Sequence, residues 1–383
     1  MPRFAPLVLA FACFAASAKP VPEPPPLDAE AYVLMDGATG QILSAKNPDK
    51  KRSPASITKV MTSYVAFEEI AAGRAAMDDT VLISEKAWRQ GIDSSQSRMF
   101  IEVGSQVSLE ALLRGIIVQS GNDASVAVAE HMAGSEAGFA SMMNTTAQRL
   151  GMNDSHFENA SGMPAPTHRS TARDIATLVR AHIADFPEGY ALYSEKEYSY
   201  NGIRQFNRNR LLWRDDSVDG VKTGYTSESG YCLASSAERD GRRLIAVVLG
   251  TSSPDAREQD SLALLNYGFR FFDTVTLFDR DEAVQTHRVF GGAQSEVDVG
   301  VRSALRVALP RDAEERIQLQ AEVPSPLQAP IAKGAQLGTL TVTLDDETLL
   351  VEPLVANQDV AQGGIVKYSP FLMTTKAQGR VFR

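Results

Sequence analysis

The sequence predicts an α+β fold: a domain of residues 30–275 whose strands lie at its two ends and whose helices lie between them, then a small all-β domain at residues 280–360. Strand-like segments occur near residue 31 and again between residues 222 and 249, whereas the intervening segments repeat at helical spacing. After residue 280, alternating segments interrupted by Pro and Gly indicate short strands. A chain of 383 residues, 44% of them hydrophobic, is long enough for both domains.

The first 18 residues predict a signal peptide. Arg3 precedes an apolar run, and Ala16, Ser17 and Ala18 are the small residues that a signal peptidase reads. The apolar run is too short to span a bilayer. Residues 19–29 are rich in proline and predict an extended spacer. We therefore expect an exported, periplasmic protein.

Two hairpins are predicted far apart in the chain. Residues 31–35 and 41–45 alternate around a turn, and residues 231–236 and 244–249 do the same around an Asp-Gly turn signal. A helix at about residues 255–272 follows the second hairpin. Strands this distant in sequence can join in one antiparallel sheet with helices on its faces.

The middle third is predicted to be helical. Ser108 is placed to cap one of its helices. Another helix begins near Ala124, and a further one starts at Ser135. The first helix has one apolar face, formed by Ile57, Val60, Met61, Tyr64 and Val65.

Ser56 and Lys59 lie at the start of this first helix and can meet, because residues three apart share a helix face. A serine hydroxyl is a weak nucleophile unless a base takes its proton. Lysine is a base only when neutral, and burial or a second cation such as Lys222 would lower its pKa. The helix N-terminus and the Ser56 N–H would favour a developing oxyanion. Alone, the motif equally describes a capped helix with a solvated lysine.

Ser120, Gly121 and Asn122 lie between two helical segments and are predicted to form a loop. The Ser120 hydroxyl could pass a proton between Lys59 and a leaving amine, and the Asn122 amide could hold the backbone of a peptide substrate. The same three residue types also form ordinary turns.

Lys222, Thr223 and Gly224 open a predicted strand. The cation and hydroxyl suit a substrate carboxylate. Gly224 has no side chain, so an extended peptide could lie against the strand edge. The N–H of Tyr225 is a candidate second oxyanion donor. The alternative is a strand end with a surface lysine.

These three motifs, in this order, occur together in β-lactamases and penicillin-binding proteins. The chain further resembles the low-molecular-weight penicillin-binding proteins, the serine D-alanyl-D-alanine carboxypeptidases, over nearly its whole mature length. The additional matching segments are residues 114–124, 170–174, 207–209, 218–224 with 230–231, and 330–340.

The resemblance implies a β-lactamase/transpeptidase-like domain, with a five-stranded antiparallel sheet flanked by helices and a helical subregion, followed by a small all-β sandwich domain. It implies that Ser56 forms an acyl-enzyme, Lys59 is its base, Ser120 relays the proton and Lys222 assists in binding the terminal carboxylate. The implied substrates are peptidoglycan stem peptides, and the implied inhibitors are β-lactam antibiotics. Tyr225 departs from the histidine that many members carry there.

Other classes of site find less support. No motif indicates a metal or a cofactor, since no histidine lies in a His-Glu-x-x-His motif or a Cys/His cluster. His156 and His168 are predicted to be loop or surface residues. Asp123 is predicted to cap or support the fold, and Cys232 to lie in the core. A net charge of −9 without clustered Lys and Arg argues against nucleic acid as a partner.

The tail at residues 361–383 has no acidic residue and combines Lys and Arg with apolar side chains. This composition predicts a cationic amphipathic segment on an anionic membrane, which would place the protein on the outer face of the inner membrane. Pro370 and Gly379 interrupt the pattern, which leaves a frayed soluble tail as the alternative.

Three other functions stay open at this stage. A β-lactamase of the same fold would need fast deacylation, and no convincing carboxylate base for that step is found. A murein DD-endopeptidase would act on cross-links with similar end groups. A catalytically silent wall-binding protein would use the β-domain alone.

Overall fold

The computed structural model describes residues 21–92 and 96–363. The predicted signal peptide at residues 1–18 lies outside this range, as does most of the predicted tail at residues 361–383. The spacer is described from Val21 onward.

The chain divides into two compact units. Among the described residues, the larger consists of Pro24–Asp279 with Ala304–Ala308, and the smaller includes Arg280–Ser303 and residues 309–363. The domain limits given above, 30–275 and 280–360, stay predictions.

The larger unit combines strands with helices. Its strands are β1 (Ala31–Asp36), β2 (Ile42–Lys46), β3 (Thr80–Leu82), β4 (Gln106–Ser108), β5 (Glu197–Tyr200), β6 (Ile203–Phe206), β7 (Val218–Thr226), β8 (Gly230–Arg239), β9 (Arg242–Thr251) and β10 (Phe272–Phe278). Its helices are α1 (Thr58–Ala71), α2 (Glu85–Gln90), α3 (Leu109–Arg114), α4 (Asn122–Ala133), α5 (Glu136–Arg149), α6 (Ala172–Asp185), α7 (Pro187–Ala191), α8 (Leu211–Arg214) and α9 (Pro254–Phe271).

The described residues confirm the antiparallel five-stranded sheet. Its order is β2-β1-β9-β8-β7, so the two distant hairpins join where β1 pairs with β9. Asp240 (φ 52°) and Gly241 (φ 73°) form the two-residue turn between β8 and β9, in which positive φ at both positions matches the twist of the strands. Strand β7, which carries Lys222, lies at the sheet edge.

Helix α1 is more deeply buried than its pattern predicted. Every residue from Thr58 to Phe67 is buried, not only the expected apolar face. One side, with Met61 and Val65, packs into a core shared with the sheet, α5 and α6. The opposite side, with Ala66 and Phe67, packs into a second core shared with α2, α3 and α4. A helix enclosed on all sides keeps water from any polar group it carries.

Helix α9 covers the other face of the sheet. Leu34 of β1 and Leu244 of β9 point away from the core that contains α1. A methyl group at Gly268 would lie 2.6 Å from Leu244 Cδ1 and 2.9 Å from Leu34 Cδ2, so the helix approaches the sheet closely there. The sheet therefore lies between two helical layers.

The described part of the chain after Asp279, residues 280–363, confirms the predicted all-β character. Its strands are β11 (Ala283–Phe290), β12 (Glu296–Gly300), β13 (Leu305–Pro310), β14 (Ile317–Glu322), β15 (Leu327–Gln328), β16 (Gln336–Leu344) and β17 (Glu347–Ala356). Six of them pair in the order β14-β16-β17-β12-β11-β15.

Across residues 21–92 and 96–363, no helix combines the length and apolar character needed to cross a bilayer.

Candidate active site

The predicted nucleophile lies in a 3-10 turn, not in the α-helix itself. Ser56 is the middle residue of Ala55–Ile57, and α1 begins at the next residue. Side chains three apart nearly eclipse in a 3-10 turn, which brings Lys59 toward Ser56. The Lys59 Nζ lies 3.0 Å from the Ser56 Oγ. Ala55 has φ 48°, a left-handed conformation that is costly for a residue with a side chain and often marks a functional site.

The Lys59 amine is fully buried and has three oxygen neighbours. Besides Ser56, it donates to the Asn122 Oδ1 at 2.7 Å and to the backbone carbonyl of Ser161 at 2.7 Å. A neutral amine has only two N–H groups. The Asn122 and Ser161 oxygens, which cannot donate, take both of them, so the nitrogen lone pair is left for the Ser56 hydroxyl proton.

Burial lowers the pKa of Lys59 from 10.5 to about 7, although the nearby charge of Asp123 acts in the opposite direction. The shift corresponds to roughly 5 kcal/mol of destabilisation of the ammonium form relative to the neutral amine. A large fraction of Lys59 is therefore neutral near pH 7 and able to accept a proton.

The second motif is held by an unusual helical turn. Gly115–Gln119 form a π-helical turn, and Ser120 ends it with φ 67°. Ser120 is 3% exposed. Among the described residues, no side-chain hydrogen bond holds its hydroxyl. The turn orients the chain so that α4 starts at Asn122, and this residue reaches Lys59.

Asn122 already has partners within the protein. Its Oδ1 accepts from Lys59, and its Nδ2 donates to the Gln96 Oε1 at 2.9 Å. The predicted role in holding a substrate amide stays a prediction. The contact with Lys59 is one that the sequence pattern did not suggest.

Asp123 is a supporting residue, as predicted. It is fully buried, and its carboxylate accepts the backbone N–H groups of Met99 at 2.8 Å, Phe100 at 3.0 Å and Ala124 at 2.9 Å. Several backbone donors compensate a buried carboxylate and fix the chain that donates them. Asp123 thus fixes the segment at Met99 against the start of α4.

Gly224 has a packing role beyond the one predicted. A methyl group at this position would lie 2.9 Å from the Pro54 carbonyl oxygen and 3.2 Å from the Ala55 Cβ. The missing side chain therefore lets β7 pack directly against the turn that carries Ser56. Because β7 is an edge strand, its outer side can still pair with an extended peptide.

Lys222 is buried beside this contact and close to other cations. Burial lowers its pKa well below the usual value, and the charges of Lys59, Arg208 and Arg257 act in the same direction. The sequence analysis did not single out these two arginines. Arg208 belonged to a matching segment, but Arg257 had only its place in the α9 pattern, and no local signal linked either to Lys222.

The exposed ring of Tyr225 stacks on Tyr231. The ring centroids lie 4.3 Å apart with planes at 26°, and Tyr225 is 54% exposed. The Arg257 guanidinium lies 5.6 Å from the Tyr231 centroid and donates to the Gly224 carbonyl at 3.3 Å. An aromatic pair of this kind typically stabilises a fold by about 0.5–1.5 kcal/mol beyond the effect of burying its surface. Here the stacked pair lies at the end of β7.

His168 was expected to be a loop or surface residue, and it does lie in a loop, but its side chain is buried. Its Nδ1 accepts the Glu158 N–H, so the ring proton lies on Nε2, which donates to the Thr58 Oγ1 at 2.8 Å. Burial lowers the pKa of His168 from 6.5 to about 4. A histidine between two hydrophilic segments looks like a surface residue in sequence, yet folding places it against α1.

A half-buried serine beside a buried lysine, a second serine on a tight turn and a buried lysine on an edge strand define a serine acyl-transfer enzyme. Family comparison identifies the class more closely. Residues 18–253 match the D-alanyl-D-alanine carboxypeptidase family, and residues 272–362 match the C-terminal domain of penicillin-binding protein 5. The chain belongs to the D-alanyl-D-alanine carboxypeptidase family.

Comparison with individual relatives supports the same family. The chain is 42% identical to D-alanyl-D-alanine carboxypeptidase DacC of Escherichia coli (strain K12), over 92% of this chain and 90% of that protein. It is 34% identical to DacF of Bacillus subtilis (strain 168), over 89% and 88%. Penicillin-binding protein 5 from Haemophilus influenzae has a similar structure, with a TM-score of 0.85 and 39% identity, over 89% of this chain and 99% of that chain.

The pKa of Lys59 predicts the pH dependence of acylation. If neutral Lys59 accepts the Ser56 proton, the acylation rate constant should rise about tenfold per pH unit below a midpoint near the lowered pKa of about 7 and level off above it. The measurement is the rate of labelling by a fluorescent penicillin as a function of pH. In Lys59→Arg, which stays charged, labelling should be lost at every pH. A rate independent of pH in the wild type would contradict the assignment.

Proposed function

We propose that this enzyme removes the terminal D-alanine from peptidoglycan pentapeptides through an acyl-enzyme on Ser56. The observation that carries the proposal is the environment of Lys59. Its amine lies 3.0 Å from the Ser56 Oγ, and its two other hydrogen bonds go to carbonyl oxygens that can only accept. This is the arrangement that a neutral lysine base requires.

In the acylation step, the Ser56 Oγ attacks the carbonyl carbon of the penultimate D-alanine while its proton moves to the Lys59 Nζ. The carbonyl oxygen becomes an oxyanion, which the N–H groups of Ser56 and Tyr225 would receive. The position of Gly224 against the turn supports this pairing, because it brings β7 next to Ser56.

The C–N bond then breaks, and the leaving amine of D-alanine needs a proton. Ser120 donates its own hydroxyl proton and regains one from Lys59, which returns the lysine to the neutral form. Water next attacks the ester carbonyl and gives a proton to Lys59. As the ester C–O bond breaks, Lys59 returns this proton to the Ser56 Oγ, which leaves as the hydroxyl, and the lysine is neutral again. Each step uses the same base, so one buried lysine serves both halves of the reaction.

Replacing the nucleophile tests this directly. Wild-type protein should convert a pentapeptide ending in D-Ala-D-Ala to the tetrapeptide and free D-alanine, whereas Ser56→Ala should show a loss of at least about 10³-fold because no ester can form. Mass spectrometry of the products is the measurement. Ser199→Ala on the exposed strand β5 is a matched control that should behave as wild type. An unchanged pentapeptide with the wild-type protein would contradict the proposal.

Labelling with a fluorescent penicillin, together with a cross-linked substrate, distinguishes the carboxypeptidase from the alternative functions. A penicillin ester on Ser56 that persists after excess reagent is removed supports the carboxypeptidase, and rapid loss of the label with repeated turnover indicates a β-lactamase. Cleavage of cross-linked dimers in preference to pentapeptides indicates a DD-endopeptidase. No label on Ser56 favours the catalytically silent wall-binding protein.

We also propose that Lys222, Thr223 and the two neighbouring arginines bind the terminal carboxylate of the substrate. In the free site, burial and like charges disfavour the ammonium form of Lys222. An incoming carboxylate would favour that form, since an opposite charge raises the pKa of a lysine. Selectivity for a free C-terminus would then come from charge pairing inside a buried site.

A pair of substrates tests this site. Wild-type protein should cleave a D-Ala-D-Ala peptide with a free carboxylate about 10²-fold faster, as kcat/KM, than the same peptide with a C-terminal amide. Lys222→Met should slow cleavage of the acid strongly and of the amide only slightly, because the amide has no charge to lose. An equal loss on both peptides would show that Lys222 supports the site in another way.

We further propose that the protein is exported to the periplasm and that its tail associates with the outer face of the inner membrane. The leader pattern at residues 1–18 and the cationic, apolar composition of residues 361–383 support these proposals. Both concern segments that lie wholly or mostly outside the described residues.

Expression of the full chain in a bacterium tests both parts. The mature protein should begin at Lys19, as measured by intact mass, and should be found in the periplasmic and membrane fractions. Deleting residues 364–383 should move it to the soluble periplasmic fraction, because the cationic segment is removed. Retention of residues 1–18, or an unchanged membrane fraction after the deletion, would contradict the respective part.

A further inference from the structure

One of the two carbonyl groups that hold Lys59 comes from an irregular segment. Ser161 lies in the stretch from Glu158 to His168, here named the 158–168 loop, which contains no helix or strand. Its carbonyl must stay within hydrogen-bond distance of the Lys59 amine, at 2.7 Å, without the support of a backbone ladder. A side chain within the loop supplies that support.

Asn159 closes the loop on itself. Its Oδ1 accepts the backbone N–H groups of Ser161 at 3.2 Å, Gly162 at 2.8 Å and Met163 at 3.1 Å. Its Nδ2 donates to the Met163 carbonyl at 2.9 Å. One amide side chain thus takes up four backbone groups over five residues. An Asn side chain that bonds its own following backbone is a strong turn former, and here it fixes the turn from both sides.

The closed turn packs tightly against the nucleophile. Gly162 has φ 83°, and a methyl group there would lie 1.8 Å from the Ala55 carbonyl oxygen and 2.8 Å from the Thr58 Oγ1. The backbone at Gly162 therefore lies directly on the 3-10 turn that carries Ser56. The neighbouring carbonyl of Ser161 then faces the Lys59 amine and covers it from water.

We propose that Asn159 is a positioning residue for the base. It fixes the turn of residues 159–163 so that the Ser161 carbonyl accepts one N–H of Lys59 and excludes water from the amine. Asn159 acts through Ser161, with no contact to the substrate. The inference rests on the proposed function, since it concerns the base of that reaction.

The charges around Lys59 do not come from Asn159 or its turn. Asp123 on α4 and Lys222 on β7 are the charged groups that interact with it, and His168, which contacts the adjacent Thr58, has its pKa lowered to about 4 by burial. Replacing Asn159 with an uncharged residue therefore leaves the nearby charges in place. The substitution would loosen the hydrogen bond from Lys59 to the Ser161 carbonyl, and the weakening of that bond favours the neutral amine. It would also admit water to the amine, and hydration favours the ammonium form. Burial is the largest cause of the lowered pKa of Lys59, so the admission of water should dominate.

Three variants test the proposal. Asn159→Leu removes the four backbone hydrogen bonds, and the one from the Ser161 hydroxyl at 3.3 Å, at similar volume. Asn159→Ser keeps a shorter acceptor without adding charge. Asn144→Leu is the matched control. Asn144 likewise bonds loop backbone, through the N–H and the carbonyl of Phe157, both at 2.8 Å, and among the described residues its side chain makes no hydrogen bond to the turn at residues 159–163. The measurements are the rate of acylation by a fluorescent penicillin across pH and the thermal unfolding midpoint.

In Asn159→Leu, the midpoint of the pH profile should rise by about 1 pH unit, and the plateau rate should fall about tenfold or more. Asn159→Ser should lie between this variant and wild type. Asn144→Leu should lower the unfolding temperature but keep the wild-type midpoint. A wild-type profile in Asn159→Leu, or an equal shift in Asn144→Leu, overturns the proposal.

If Asn159→Leu does not fold, the test rests on Asn159→Ser, and an unshifted midpoint of its pH profile overturns the proposal. Failure of the proposed function gives a different result, because the wild-type protein would then not be labelled on Ser56 at all.

Discussion

The candidate active site depends on keeping one lysine amine out of water while giving it only oxygen atoms as partners. A buried ammonium is costly, and the protein meets this cost by letting Lys59 become neutral rather than by pairing it with a carboxylate. Asp123, the acidic group whose charge acts on it, directs its oxygens to backbone N–H groups instead. A direct ion pair would have stabilised the charged form and opposed the proposed role of Lys59 as a base. The separation of Lys59 from a carboxylate is therefore what that proposed role requires.

Close backbone contacts exclude water from this site. The turn that carries Ser56 is covered on one side by Gly162 and on another by Gly224, and at both places a single methyl group would approach a backbone carbonyl oxygen too closely. Helix α1, enclosed by two cores, fixes the position of Lys59 from behind. Small residues at the contacts and large ones in the cores thus serve the same purpose, because close packing excludes the water that would recharge the amine.

The sequence predicted the regular elements well where a local pattern is decisive. The hairpin at Asp240 and Gly241, the Ser108 cap of α3, the start of α5 at Ser135 and the meeting of Ser56 with Lys59 are confirmed, since each depends on residues close together in the chain. The full enclosure of α1 was missed because its second core consists of segments far away in sequence. The burial of His168 was missed for the same reason.

The order of the three motifs and their residue types were determined by the sequence alone, and with them the family and the candidate nucleophile and base. Only the tertiary structure decided which groups hold the Lys59 amine: the Asn122 side chain, more than sixty residues away, and the Ser161 carbonyl, which belongs to the backbone and leaves no residue signature. It likewise decided that Arg208 and Arg257 surround Lys222. Hydrogen bonding and desolvation depend on three-dimensional proximity, which a local sequence pattern does not encode.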